Sequence, residues 1–229
     1  MTGTVMTAIG TVLSVLGIVF AVFVVIYFTQ IFLGAKERMS PRDATATVPI
    51  YPGFIGEGFK GSGFHFEWEG QSFIGCSLHQ FDSETPEVMH MFNSGKGESI
   101  IEVPVTGRAF MQEDVQILAY ETGVIDEFDG LVYEDNVEIR AGEVVYVMTS
   151  RGPLEARVML FCSSYEPGMR CAKLKLHPTR LRGLSGSAVI SGVTGTVVGV
   201  LLTGNEEAGT FGFEVLDLER SILNEDLGP

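Results

Sequence analysis

Short segments in which apolar and polar residues alternate follow one another along most of the chain from residue 61 onwards. GSGFHFEWEG, VQILAY, NVEIRAGEVVYVMTS, GTVVGVLLTG and TFGFEVL are examples. Gly, Asn, Asp and Pro separate these segments, and the 229 residues include 28 glycines and 9 prolines, which suit frequent turns. Short strands at regular spacing with turn residues between them predict an all-β sandwich or barrel.

The two halves of this region hold similar numbers of strand segments, so the length accommodates two small barrels in one domain. At the C-terminal end, LDLERSILNEDL places Leu218 and Ile222 at helical spacing, which predicts a short terminal helix.

The first 35 residues carry no charged side chain, and the apolar run from Ala8 to Leu33 exceeds the roughly 20 residues that a helix needs to cross a bilayer. A cleaved signal peptide would have a basic start and a shorter apolar run. A helix buried in a globular core is the other alternative, but Val, Ile and Phe lie on every face of this segment. The sequence predicts a tail and a single transmembrane helix over 1–34, a polar linker over 35–50, and a folded domain over 51–229.

The flanking charges predict which side of the membrane the domain occupies. Lys36, Arg38 and Arg42 follow the apolar run, so the positive-inside rule places the folded domain on the cytoplasmic side. An odd number of cysteines, three, suits reduced thiols. Cys162 and Cys171 would nevertheless pair if the domain faced an oxidising compartment, so their redox state stays open.

The net charge of −14 argues against nucleic-acid binding and against docking on anionic lipid head groups. The predicted partner is instead the lipid interior, through residues 8–33. Gly10, Ser14 and Gly17 are spaced as small residues at helix–helix contacts often are, which allows a membrane-protein partner, although contact with lipid alone is the plainer alternative. The histidines and cysteines lack metal-ligand spacing, so no metal and no cofactor are expected.

Ser185, between two glycines in GLSGSAVI, is a candidate nucleophile, and a serine nucleophile needs a base and an orienting acid. His79 follows the apolar strand SFIGCSL at a strand-to-loop junction, and Asp114 stands at the start of the strand segment VQILAY. The other histidines are expected to be solvated or outward-facing, including His65 in the middle of a strand. His79, Asp114 and Ser185 therefore occur in the chain order that one known triad arrangement uses.

Four segments in this order resemble motifs of the trypsin-like serine peptidases, in particular the compact bacterial proteases of the high-temperature-requirement type. GSGFHF resembles the first of these motifs, and FIGCSLHQF resembles the strand that carries the catalytic histidine. DVQIL is similar to the segment of the catalytic acid, and GLSGSAV to the nucleophile motif. The resemblance covers roughly residues 53–225 and implies a chymotrypsin-like fold of two six-stranded antiparallel β-barrels.

The resemblance implies a serine endopeptidase that acts on polypeptides through an acyl-enzyme intermediate. It assigns Ser185 as nucleophile, His79 as general base and Asp114 as the residue that orients the imidazole. The backbone N–H groups of Gly183 and Ser185 would form the oxyanion hole. The implied substrate-binding residues are Thr179, Leu202, Thr203 and Gly204. The chain ends soon after the terminal helix, so no peptide-binding PDZ module is expected.

Several residues depart from the family pattern. Leu78 stands where small residues usually precede the histidine, Gln80 follows it, and Gln116 replaces an alanine in the acid segment. These departures leave a second hypothesis open, in which the chain is a catalytically weak or inactive subunit of a membrane complex that binds or assembles. Leu184 replaces the acid that precedes the nucleophile in digestive members, so activation by a newly cut N-terminus is not expected.

Overall fold

A computed structural model describes residues 16–27, 47–52, 61–81, 85–93, 99–121, 131–149, 152–162, 165–175, 181 and 183–219. From residue 47 onwards, the regular structure in these residues is mainly β-strand, as the alternating segments predict. The strands form two groups, one before and one after residue 140, which pack against each other.

The first group closes into a ring of six strands. Its strands are β1 (Thr47–Pro52), β2 (Gly61–Trp68), β3 (Gln71–Ser77), β4 (Val88–Asn93), β5 (Ser99–Gln112) and β6 (Val115–Tyr120). They are hydrogen-bonded in the order β1-β4-β5-β6-β3-β2, and β1 also pairs with β2, which closes the ring. A two-residue strand, β7 (Leu131–Val132), adds to β2 in parallel.

The second group is a closed barrel of six strands in the order β10-β13-β12-β11-β8-β9. Its strands are β8 (Val144–Val147), β9 (Leu154–Val158), β10 (Arg170–Leu174), β11 (Ala188–Ser191), β12 (Val197–Asn205) and β13 (Thr210–Val215). All of its pairings are antiparallel. The prediction of two small antiparallel barrels therefore agrees with the observed architecture.

Three apolar clusters hold this architecture together. One fills the first barrel around Ile74 and Leu118, and another fills the second around Phe211 and Phe213. The third contains buried side chains from both barrels, including Phe64, and so lies between them. Successive strand residues point to opposite faces, so β11 can send Val189 into its own barrel and its neighbours into the shared cluster.

The ends of the chain are described only in part. Residues 16–27 are helical, and their large apolar side chains are exposed. Within the described residues, no helix combines the length and apolar character needed to cross a membrane; the remainder of the predicted span, at 8–15 and 28–33, lies outside them. Strand β1 begins at Thr47, inside the segment predicted as linker, because β-branched residues there pair with β2. Leu218 and Glu219 are helical, and the rest of the predicted terminal helix, from residue 220 onwards, lies outside the described residues.

The structure answers the open question about Cys162 and Cys171 and corrects the prediction for His65. Cys162 and Cys171 form a disulfide with their Cα atoms 5.5 Å apart, which joins the segment after β9 to β10. The prediction that His65 faces outward is wrong. Its side chain is buried, and its Nε2 atom lies 2.8 Å from the Tyr120 hydroxyl, because β2 belongs to a closed barrel in which both faces are covered.

Candidate active site

The end of β3 positions His79. A single turn of 3-10 helix, Leu78–Phe81, follows β3 directly and turns the chain away from the barrel. Phe81 and Gln80 are buried beneath this turn, whereas the His79 side chain remains about half exposed. The first barrel therefore holds the imidazole at its rim, where the ring is open to solvent.

Asp114 lies in the two-residue turn that joins β5 to β6. The residue before it, Glu113, has a φ of 46°, a conformation that suits tight hairpin turns. The backbone N–H of Leu78 donates to the Asp114 carbonyl oxygen at 2.7 Å, and the backbone N–H of His79 donates to Asp114 Oδ1 at 2.9 Å. These bonds hold the β5–β6 turn against the histidine segment.

Ser185 lies in the tight turns that precede β11. Gly183 and Gly186 have φ values of 83° and 86°, a left-handed conformation that glycine adopts without steric cost. The backbone N–H of Gly186 donates to the Leu201 carbonyl at 2.7 Å, which fastens this turn to β12. Glycine at positions 183 and 186 thus allows the backbone conformation that carries Ser185.

The three predicted side chains form one continuous chain of contacts. Ser185 Oγ lies 2.7 Å from His79 Nε2, and His79 Nδ1 contacts Asp114 Oδ2. An ionised carboxylate only accepts hydrogen bonds, so Nδ1 carries the ring proton and Nε2 presents its lone pair to the serine hydroxyl. This arrangement can withdraw a proton from Ser185 and stabilise the imidazolium that results.

Two other groups contact the serine hydroxyl. The Leu202 carbonyl oxygen lies 2.8 Å from Ser185 Oγ and competes with His79 Nε2 for its single proton, and the buried hydroxyl of Ser77 lies 3.3 Å away. The pairing of β12 with β13 shifts register between Leu201 and Thr203, which leaves Leu202 as the irregular residue of a bulge. Bulges often change the direction of a group beside an active site, and here the Leu202 carbonyl faces the nucleophile.

The predicted substrate-binding residues differ in their exposure to solvent. The Leu202 side chain is buried between the barrels, whereas Thr203 and Gly204 are exposed on β12. A Cβ atom on Gly204 would lie 2.7 Å from Leu181 Cδ1, so Leu181 covers this glycine closely. Thr179 lies outside the described residues.

Sequence reasoning missed two polar residues that contact the nucleophile segment. Ser62 donates from its hydroxyl to the Gly183 carbonyl and from its backbone N–H to the Ser185 carbonyl, both at 2.8 Å. The Gln80 side chain also donates to the Ser185 carbonyl. Nothing in the local sequence marks either residue: Ser62 lies between two glycines and Gln80 between His79 and Phe81, and neither context reveals a partner 121 or 105 residues away.

One acidic side chain behind Asp114 has a shifted proton affinity. Burial raises the pKa of Glu214 from 4.5 to about 7, and the charges of Glu113 and Asp114 add to the shift. Gln112 and the backbone of Asp114 act in the opposite direction by favouring the ionised form. A carboxyl that titrates near neutral pH thus lies close to the candidate acid.

Among the described residues, no three His, Cys, Asp or Glu side chains form a group suited to a metal.

No protein-family model and no curated protein matches the sequence. Solved structures match in fold. Human heparin binding protein superposes with a TM-score of 0.57 at 15% identity over 84% of this chain and 98% of that chain. A serine endoprotease from Yersinia pestis gives 0.54 at 17% over 81% and 64%. A serine protease of a human pathogenic astrovirus gives 0.53 at 16% over 84% and 98%.

The last two are described as serine proteases, and the chymotrypsin-like fold fits the two-barrel arrangement of this chain. The chain therefore has the chymotrypsin-like fold of two β-barrels, with its candidate site at the junction of the barrels. Identities this low establish the fold alone.

Proposed function

We propose that this protein is a serine endopeptidase that hydrolyses polypeptides through Ser185, His79 and Asp114. The observation that carries the proposal is the 2.7 Å approach of Ser185 Oγ to the unprotonated nitrogen of an imidazole whose other nitrogen contacts a carboxylate. Ser185 attacks the peptide carbonyl, and His79 takes its proton and returns it to the leaving amine. Water then releases the acyl group by the same route in reverse.

We further propose that the backbone N–H groups of Gly183 and Ser185 form the oxyanion hole. Two features support this role: the left-handed conformation of Gly183 and the hydrogen bonds that hold the carbonyls of both residues on the side of Ser62. Donors fixed in advance cost no reorganisation as charge develops on the oxygen, and loss of one such donor typically costs about 3 to 4 kcal/mol.

The test is reaction of the folded domain with a fluorophosphonate probe, which modifies a serine only where a base activates it. We expect stoichiometric labelling of Ser185, detected by peptide mass spectrometry, together with hydrolysis of a broad panel of peptides. Ser185→Ala is the matched control, because it removes one oxygen from a turn whose glycines remain. Absence of labelling in folded protein would refute the proposal and favour the inactive subunit that binds or assembles.

Membrane anchoring through residues 8–33 remains part of the proposed function and rests on the uncharged sequence. The test is extraction of native membranes with alkaline carbonate. Retention of the full chain in the pellet supports the anchor, and release of the chain into the supernatant contradicts it. A variant that begins at residue 35 provides the control, because it should be released.

A further inference from the structure

The side chain of Gln80 connects two parts of the candidate site that lie far apart in sequence. Its Nε2 atom lies 3.1 Å from the carbonyl oxygen of Ser62 and 2.5 Å from that of Ser185. Carbonyl oxygens only accept, so the NH₂ group must face them, and each of its two hydrogens serves one carbonyl. The side chain is 3% exposed, so water competes little for these bonds.

Ser62 completes the same connection from strand β2. Its hydroxyl donates to the Gly183 carbonyl and its backbone N–H to the Ser185 carbonyl, both at 2.8 Å. The peptide unit that carries the N–H of Ser185 therefore lies between two carbonyls that are both fixed. The carbonyl of the same peptide unit, that of Leu184, accepts from the backbone N–H of Ser187 at 2.9 Å, so rotation of this unit would break that bond.

Two glycines provide the space for this arrangement. A Cβ atom on Gly61 would overlap the Gln80 amide, and a Cβ on Gly186 would overlap the Ser62 carbonyl and lie 2.7 Å from Gln80 Nε2. The close approach thus depends on residues from three segments: β2, the turn after β3, and the nucleophile turn.

We propose that Gln80 is a positioning residue that, together with Ser62, fixes the backbone of residues 183–186 so that the Ser185 hydroxyl and N–H face the substrate. Gln80 directly follows His79, so the same turn of backbone fixes the position of the base and, through the Gln80 amide, the position of the nucleophile. The catalytic part of this inference rests on the proposed function. The structural part concerns only how residues 183–186 are held.

The structural part is tested by hydrogen–deuterium exchange of the peptide that covers residues 181–188. Gln80→Met keeps the length of the side chain and removes both donors. Gln112→Met is the matched control, because Gln112 Nε2 also donates to a carbonyl, that of Val215 at 3.1 Å, at a different place. We expect exchange at residues 183–187 to quicken at least about tenfold in Gln80→Met and to stay unchanged in the control. Unchanged exchange in both variants would overturn the proposal whether or not the protein is an enzyme.

The catalytic part is tested by the rate of labelling with the fluorophosphonate probe and by steady-state kinetics. We expect Gln80→Met to lower kcat by about 10- to 100-fold with little change in KM, because a displaced nucleophile affects the chemical step more than binding. A rise in KM with an unchanged kcat, or equal effects in Gln112→Met, would contradict a positioning role. Another outcome is that exchange quickens in Gln80→Met while the probe never labels the unmutated protein. That result would support the structural part of this inference and refute the proposed hydrolase.

Gln80→Glu provides a readout that a merely structural residue would not give. An ionised carboxylate faces the two carbonyls without a proton to donate, whereas the protonated acid restores one hydrogen bond. The rate of Gln80→Glu relative to the unmutated protein should therefore rise as the pH falls. A ratio that does not change with pH would contradict the donor role of Gln80.

Discussion

At the scale of single residues, Asp114 decides the state of the imidazole. Its carboxylate contacts His79 Nδ1, and its other oxygen accepts the backbone N–H of the same residue at 2.9 Å. The side chain is about one third exposed, so solvent reaches it, but the paired contacts still select one tautomer of His79. Loss of the negative charge should therefore affect chemistry far more than folding.

We predict that Asp114→Asn lowers kcat by about 10³- to 10⁴-fold with an unfolding midpoint close to that of the unmutated protein. The amide can donate a hydrogen to Nδ1, which would leave the proton on Nε2, where the serine needs a lone pair. Peptide hydrolysis and urea unfolding measure the two effects. Glu113→Gln, in the same turn, is the control and should retain activity; a fully active Asp114→Asn would exclude the triad.

Glu214 predicts how stability depends on pH. Its pKa in the folded protein is raised to about 7, so the folded state holds a proton that the unfolded chain releases near 4.5. This contribution to stability is fully present below pH 4.5 and is lost as the pH rises through 7.

We predict that Glu214→Gln removes this dependence and raises the free energy of unfolding at pH 8 by up to about 3 kcal/mol. Urea unfolding of both proteins at intervals from pH 5 to pH 8 is the measurement. The curves should diverge as the pH increases. Curves that run parallel over this range would show that Glu214 is not the group responsible.

At the scale of elements, turns and irregular strands carry the site while regular strands hold it. The nucleophile comes from a glycine turn, the acid from a two-residue hairpin turn, and the Leu202 carbonyl from a bulge. The alternating segments predicted the strands. A shift in strand pairing produces no recognisable pattern of apolar and polar residues, so the bulge at Leu202 could not be predicted.

A comparison of Gly186 with Gly195 distinguishes the cost of a left-handed backbone from the cost of steric overlap. Both have positive φ, but a Cβ on Gly195 would have no neighbour within 4 Å, whereas one on Gly186 would overlap the Ser62 carbonyl. We predict that Gly195→Ala costs about 1 to 2 kcal/mol of stability and that Gly186→Ala costs about 1 to 3 kcal/mol more. Equal costs in urea unfolding would show that the nucleophile turn adapts without resistance.

At the scale of the whole molecule, two observations favour different compartments for the folded domain. Lys36, Arg38 and Arg42 favour the cytoplasmic side, whereas a Cys162–Cys171 disulfide is typical of an oxidising compartment. Cys76 cannot report on this question, because it is buried and burial raises the pKa of its thiol.

We predict that Cys162 and Cys171 resist alkylation in protein from native membranes and react only after reduction and unfolding. Closing a loop of this length should contribute about 2 to 3 kcal/mol, so a Cys162→Ser/Cys171→Ser variant should unfold at lower urea. Mass spectrometry after differential alkylation is the measurement. Complete alkylation of unfolded protein without a reductant would place the domain in a reducing compartment.

The sequence predicted the three side chains of the candidate triad but not the residues that hold the nucleophile segment in place. His79, Asp114 and Ser185 were found because each lies in a recognisable local segment, and their order matched a known arrangement. Ser62 and Gln80 were missed because their role depends on carbonyls that approach them only once the barrels have packed. Gln80 seemed a departure from the family pattern, yet its amide fills the space beside Gly61 and binds the nucleophile segment.

The division of the three side chains between the barrels affects how the protein is made. His79 and Asp114 belong to the first barrel, whereas Ser185 is held by β11 and β12 of the second. A ribosome completes the first barrel long before it reaches the nucleophile, and the turn is fixed only after Leu201 has been added. A growing chain therefore holds the candidate base and acid before it holds the candidate nucleophile. If the chain is the hydrolase proposed above, it can cut other chains, including copies of itself, only after Leu201 has been added.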